Sequence, residues 1–314
     1  MGARSDRGGL RCRLDAGPER LPGSGGRDDH RDRGRLTPIE HPDRTVRIAV
    51  GQVWISIEDV DANRAAVTDV VGRAARLGAD LVVLPELVTS GYVFTDADEA
   101  RKHAESSTGP TVSLFAELSA EHRIMIIGGW CERADADRLY NSAAVLDRGK
   151  LLANYRKTHL WDREKLIFTP GDEPPPVIRT RLGSLGVMVC YDLEFPELVG
   201  EVARRGAQLI AAPSNWPAGV PVPVGERPVE VIKAQAAAAV NRIAIAVADR
   251  CGLERDVPWI GASLICGTDG YLLAGPAAGE PTLLWADVDL AAARDKRLGQ
   301  HNDALTDRRP ELYG

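Results

Sequence analysis

Three residues in this chain are placed to do covalent chemistry: Cys190, Glu86 and Lys157. Cys190 ends the apolar run Gly186-Val187-Met188-Val189 and precedes Tyr191-Asp192-Leu193-Glu194-Phe195-Pro196. That pattern is a buried strand delivering a thiol to a loop that turns into a helix, where an α/β enzyme fixes and exposes a nucleophile. By itself such a cysteine is as readily an inert core residue. Glu86 closes the apolar segment Leu81-Val82-Val83-Leu84-Pro85, where a carboxylate is costly to bury unless paired. Pro85 stops the strand ladder there, and both a structural ion pair or cap and a general base fit Glu86. Lys157 follows Asn154-Tyr155-Arg156. A lone lysine is ordinarily a solvated charge, but Arg156 and Lys157 point to opposite faces of a strand, so one of them faces inward. Glu164, in Trp161-Asp162-Arg163-Glu164-Lys165, reads on its own as part of a charged loop.

Together these side chains suffice for acyl transfer from a C–N bond. A carboxylate can take the thiol proton at neutral pH. A buried ammonium and a backbone N–H can stabilise the oxyanion formed on attack at a carbonyl or nitrile carbon. The same carboxylate can return its proton to the departing ammonia or amine. No Gly-x-Ser-x-Gly elbow or Ser/His/Asp set competes, and His122 and His159 read as packing or surface histidines.

The elements that must hold these residues alternate between strands and helices. The spacing predicts strands over 46–54, 80–86 and 123–130 and helices over 61–77 and 111–122, with Asp61 as a helix N-cap. Segments 142–146 and 151–155 flank Asp147-Arg148-Gly149-Lys150, a hairpin signal. Beyond the Cys190 strand come helices over 196–205 and 228–241, and strands over 207–212, 243–249, 260–266, 271–274 and 283–288. Helices alternating with strands, with hairpins mixed in, predict mixed β-sheets covered by helices. No internal repeat and no linker interrupts 45–290, so one domain is expected. Residues 1–44, rich in Arg, Gly, Asp and Pro, are too poor in apolar side chains to fold and read as a disordered tail.

Composition narrows the class. Of the 314 residues, 44% are hydrophobic, enough for a sizeable core, and the net charge of −6 argues against a nucleic-acid or membrane-surface partner. No apolar run approaches a membrane span and no signal peptide opens the chain, so a cytoplasmic location is expected. The 5 cysteines are scattered without Cys-x-x-Cys spacing, which suits a reducing compartment, and the 6 histidines are unpaired. No metal is expected.

Three segments carry a family resemblance: Leu84-Pro85-Glu86-Leu87 with Ser90-Gly91-Tyr92, Tyr155-Arg156-Lys157-Thr158-His159-Leu160, and Cys190-Tyr191-Asp192-Leu193-Glu194-Phe195-Pro196-Glu197. In this order they resemble the signature blocks of the nitrilase, or carbon–nitrogen hydrolase, superfamily. The likeness runs from about Val46 to the C-terminus, including Pro213-Ser214-Asn215-Trp216. It implies an α+β fold, a four-layer α-β-β-α sandwich of two mixed β-sheets that pairs through its helical faces into a homodimer or larger homo-oligomer. It further implies Cys190 as nucleophile, Glu86 as general base and acid, and Lys157 with the Tyr191 N–H as oxyanion donors. Glu164 matches a second glutamate that orients the lysine or the attacking water. No cofactor is implied.

The resemblance also bears on the substrate. True nitrilases usually carry Trp-Glu after the cysteine, whereas this chain has Tyr191-Asp192, like members that release ammonia from small carboxamides. Hydrolysis of N-carbamoyl compounds or nitriles is the alternative. Tyr92, Asn215 and Trp216 follow catalytic strands and are candidate substrate contacts, with core packing an equal reading for Trp216. A non-catalytic scaffold has no reason to bury an unused charge pair. A lipid acyltransferase would need membrane spans, and a synthetase would need a P-loop domain.

Overall fold

The computed structural model describes residues 45–135 and 138–313; the tail expected over 1–44 lies outside them. The first element, β1 (Val46–Gln52), alternates between two cores. Val46, Ile48 and Val50 face the space between the sheets, and Ala49 faces the helices on the other side. Helix α1 (Val60–Arg76) is capped two residues earlier than the sequence predicted. Asp59, not Asp61, accepts from the Ala62 N–H at 2.9 Å, which leaves Asp61 in the first turn, where its charge suits the helix dipole.

The short β2 (Leu81–Val83) is fully buried on both faces, as its continuous apolar run requires. Helix α2 (Ala97–His103) is too short for its periodicity to show and was not expected. Helix α3 (Pro110–His122) leads into β3 (Met125–Arg133), then β4 (Leu139–Asp147) and β5 (Lys150–Arg156), paired by the expected hairpin. The second half begins with β6 (Val177–Thr180), also unexpected, and β7 (Gly183–Val187). There follow α4 (Pro196–Arg204), β8 (Leu209–Pro213), α5 (Val229–Asn241) and β9 (Ala244–Ala248). The chain ends with a small ribbon, β10 (Leu253–Glu254) and β11 (Val257–Pro258), then β12 (Leu264–Cys266), β13 (Leu272–Ala274) and β14 (Thr282–Val288).

Two six-stranded mixed sheets result, ordered β14-β1-β2-β3-β4-β5 and β13-β12-β9-β8-β7-β6. In each, three parallel strands (β1-β2-β3 and β7-β8-β9) are flanked by antiparallel ones. The topology therefore repeats although the sequence shows no repeat. Apolar side chains of both sheets merge in one core. Helices α1 and α3 cover the outer face of the first sheet, and α4 and α5 cover that of the second, giving the four-layer α-β-β-α sandwich. Among the described residues no helix is long and apolar enough to cross a membrane.

The parallel strands end together, and their C-terminal ends carry the candidate site. Gly129 in β3 makes this possible for β2, because a Cβ there would press on the Glu86 Cα and lie 2.6 Å from the Leu87 nitrogen. Gly129→Ala should therefore displace Glu86 and lower kcat/KM by about 10²-fold, the scale of an ångström-sized misplacement. Amide turnover compared with thermal melting checks this. A loss of stability without a loss of activity in the folded fraction would show that Glu86 does not need this register.

Candidate active site

Four of the candidate residues follow strand ends, and Glu164 sits in a 3₁₀ turn (Asp162–Leu166) beyond β5. Glu86 lies beyond β2, Lys157 directly after β5, Cys190 beyond β7 and Asn215 beyond β8. The backbone turns sharply at two of these points. Leu87 has φ 48° and Cys190 has φ 48°, in the left-handed region that costs a residue with a Cβ roughly 1–2 kcal/mol. Cys190 opens a 3₁₀ turn (Cys190–Glu194) rather than closing the strand, so its thiol is aimed by the turn. Backbone strain of this kind clusters at functional sites.

Glu86, Lys157 and Glu164 form a buried charge cluster. The Lys157 Nζ lies 2.7 Å from Glu86 Oε1 and 2.9 Å from both Glu164 oxygens, with the lysine and Glu86 side chains wholly buried. Asn141 Nδ2 donates to the same Glu86 Oε1 at 2.6 Å and to Glu164 Oε1 at 3.0 Å. The Trp161 N–H donates to Glu164 Oε2 at 2.8 Å. Glu86 Oε1 is thus fully engaged, whereas Oε2 is buried without a hydrogen-bond partner. The ammonium's two hydrogen bonds go to Glu86 Oε1 and Glu164 Oε1, and with three donors Lys157 keeps capacity for one more acceptor.

Asn215 ties the thiol to this cluster. Its Nδ2 donates to the Glu86 carbonyl at 2.9 Å, and its own carbonyl accepts from Cys190 Sγ at 3.6 Å. Burial pushes the Glu86 carboxyl up to about 7 against the pull of Lys157. Burial also pushes the Cys190 thiol well above its ordinary range, and the Glu86 charge adds to this. For Lys157 burial works against the charge, but Glu164 and Glu86 outweigh it and hold the ammonium well above its usual value. The last two shifts favour a neutral thiol and a charged lysine.

The structure brings Glu86, Lys157, Glu164, Cys190 and Asn215 together, sets Tyr92 beside Glu164, and leaves Trp216 outside this group. Tyr92 lines a cavity of about 150 Å³ beside Glu164, with Phe94, Trp161, Phe168 and Trp259. Its hydroxyl pKa is raised first by burial and then by Glu164 and Glu86. Trp216 does not line that cavity; it is buried in the inter-sheet core, with its backbone N–H donating to Asp249 Oδ1 at 2.9 Å. The Tyr191 ring packs edge-on against Trp161 and Phe195.

Asp192, read from the sequence as a sign of substrate preference, is scaffold. Its carboxylate accepts from the Val189 N–H, the Tyr155 hydroxyl, the Thr158 hydroxyl and the His159 N–H at 2.9–3.0 Å. These bonds fix the turn that presents Cys190. Asn141 and Trp259 were missed. An asparagine among the buried residues of strand β4 was the available signal for Asn141, since strands disfavour it unless its polar groups are used. Among the described residues no cluster of His, Cys, Asp or Glu could hold a metal ion.

Comparison with known proteins shows the family. Residues 47–298 match the family model described as carbon-nitrogen hydrolase. A nitrilase from Pyrococcus abyssi is 34% identical over 269 residues, covering 85% of this chain and 99% of the relative. The N-carbamoylputrescine amidase of Solanum tuberosum is 30% identical, covering 86% and 94% respectively. An amidase from Nesterenkonia sp. superposes with TM-score 0.72 at 30% identity, covering 86% of this chain and 96% of that one. A variant of that amidase shows Michael addition of acrylamide at its active-site cysteine. The chain belongs to the carbon-nitrogen hydrolase family and is a hydrolase of its amidase and nitrilase type.

Proposed function

We propose that the protein hydrolyses a small carboxamide to a carboxylate and ammonia through a thioester on Cys190. The observation that carries this reading is the Glu86 carboxylate, bound through Oε1 by Lys157 and Asn141 while Oε2 stays free. Glu86 accepts the thiol proton as Cys190 Sγ attacks the carbonyl carbon. The negative oxygen faces the remaining Lys157 donor and the Tyr191 N–H. Protonated Glu86 then gives its proton to the nitrogen, the C–N bond breaks and ammonia leaves. Water, deprotonated by Glu86, attacks the thioester, the C–S bond breaks, and the proton returns to the thiolate. Glu164 holds Lys157 and orients that water. The modest size of the cavity beside Glu164, lined by aromatic rings together with Asp162 and Arg163, suits a short acyl group.

Ammonia release from small amides, nitriles and N-carbamoyl amines tests the reading. Amide turnover is expected to dominate. Turnover of N-carbamoyl compounds or nitriles without amides would replace it with the alternative that the Solanum and Pyrococcus relatives represent.

The pH dependence follows from Glu86. The base works only as the carboxylate, so kcat/KM should fall as pH drops through about 7, where burial has moved this group. Asn141→Leu removes a hydrogen bond to the charged form and should move that limb upward. A limb left in place would mean that Asn141 does not act on Glu86.

Two further parts of the reading concern the whole protein. A homodimer or larger homo-oligomer is supported by Val229, Ile232 and Val240, which are exposed along α5. Sedimentation as a monomer would contradict it. The buried free thiols of Cys131, Cys251 and Cys266 suit the reducing cytoplasm.

A further inference from the structure

Outside the catalytic cluster the molecule contains a second buried ion pair, Arg250–Glu254, that the chemistry above does not use. Arg250 is wholly buried and Glu254 almost so. Arg250 Nη1 lies 3.0 Å from Glu254 Oε2. The same Oε2 accepts from two consecutive backbone N–H groups, Tyr92 at 2.9 Å and Val93 at 2.8 Å. Arg250 Nη2 donates to the Ile55 carbonyl. Its guanidinium also lies 4.6 Å from the centre of the Trp259 ring, which meets Tyr92 edge-on at 5.2 Å. Gly91 is required beside this pair, since its φ is 78° and a Cβ there would lie 2.7 Å from Glu254 Oε1. The loop and both rings are thus held from behind by one pair of charges.

Neither Arg250 nor Glu254 lines the cavity, whereas Tyr92 and Trp259 both do. As a source of stability the pair is poor. Arg250 Nε and Glu254 Oε1 are buried without partners, and apolar residues of similar volume commonly stabilise as well or better. What an apolar pair would lack is direction: a carboxylate that grips two successive N–H groups, and a planar cation that sets one ring's tilt.

We propose that Arg250 and Glu254 are positioning residues that set the Tyr92–Trp259 wall of the cavity and so limit the length of the acyl group accepted. This rests on the amidase reading. With the pair in place, Tyr92 is fixed toward Glu164 and Trp259 is fixed against Tyr92. When the pair is removed, the loop over 91–93 and the Trp259 ring are free to retreat, and longer acyl groups enter.

The test compares wild type, Glu254→Gln and the double variant Arg250→Met/Glu254→Leu, which fills the space without charge. Two ratios are measured. The first is kcat/KM for hexanamide over acetamide. The second is the rate of Cys190 alkylation by N-benzyl iodoacetamide over iodoacetamide, followed by peptide mass spectrometry. Both ratios should rise by about tenfold, the discrimination one or two methylenes provide in an apolar pocket. A purely structural role would lower both members of each pair equally, so unchanged ratios in a folded variant overturn the proposal. If Glu254→Gln does not fold, the double variant decides. Should wild type turn over no amide, the amidase reading fails on that ground, while the alkylation ratio still tests the wall.

Discussion

Cys190→Ala is expected to lower kcat for amide hydrolysis by at least about 10⁴-fold, the scale seen when a covalent nucleophile is removed. Among the described cysteines only Cys190 lies close enough to Glu86 and Lys157 to feel their charges, whereas Cys131, Cys251 and Cys266 are buried beside other groups. The fold should hardly notice the change. The thiol makes one weak bond, to the Asn215 carbonyl at 3.6 Å, and the strained φ of 48° is the same for alanine. Activity assays and thermal melts on one preparation check both halves. A variant that melts like wild type and keeps even one hundredth of its turnover, roughly 3 kcal/mol short of the expected loss, would show that another residue attacks.

Lys157→Met should cost both activity and stability, and the pH dependence of the stability loss identifies the cause. The missing oxyanion donor alone is worth about 10²–10³ in kcat. The larger structural effect comes from Glu86 and Glu164, left facing one another without the cation that both contact. Removing one partner of a buried ion pair commonly costs about 3–5 kcal/mol. Here the residual charges are carboxylates whose repulsion is relieved by taking up a proton. Their folded-state proton affinity rises, so the penalty is largest at alkaline pH and shrinks as pH falls through the raised value. Denaturant melts at mildly acidic and mildly alkaline pH test the sign. Adding Glu86→Gln to Lys157→Met should return much of the stability and none of the activity. A pH-independent loss, or full recovery of turnover, would contradict this cluster's role.

The residues differ in how far their own neighbourhoods in the chain revealed them. Cys190 and Glu86 were visible because each ends an apolar run, where a strand must give way to a loop. Lys157 was visible because two adjacent cations cannot both face solvent from one strand. Alternating periods and hairpins were enough for mixed sheets covered by helices, whereas the four-layer order was implied only by the family resemblance. Asn141 stayed hidden because its meaning depends on Glu86 and Glu164, distant in sequence and brought together only by β4 and the turn after β5. Arg250 and Trp259 were hidden for the same reason, since their partners Tyr92 and Ile55 belong to the other half of the chain. The strand β6 carries Arg179 among only 4 residues, too few for a period to show. Asp192 is the instructive difference. Its position in the motif suggested substrate chemistry, whereas its hydrogen bonds show that it fixes the cysteine turn.

The most direct test of the thioester is to catch it. Enzyme turning over propionamide is quenched in acid, digested and mapped by mass spectrometry. The peptide containing Cys190 should carry one propionyl group, removable by neutral hydroxylamine and absent from Cys190→Ala. Steady-state turnover with an unmodified Cys190 peptide, or a propionyl group on any other residue, would contradict nucleophilic attack by Cys190.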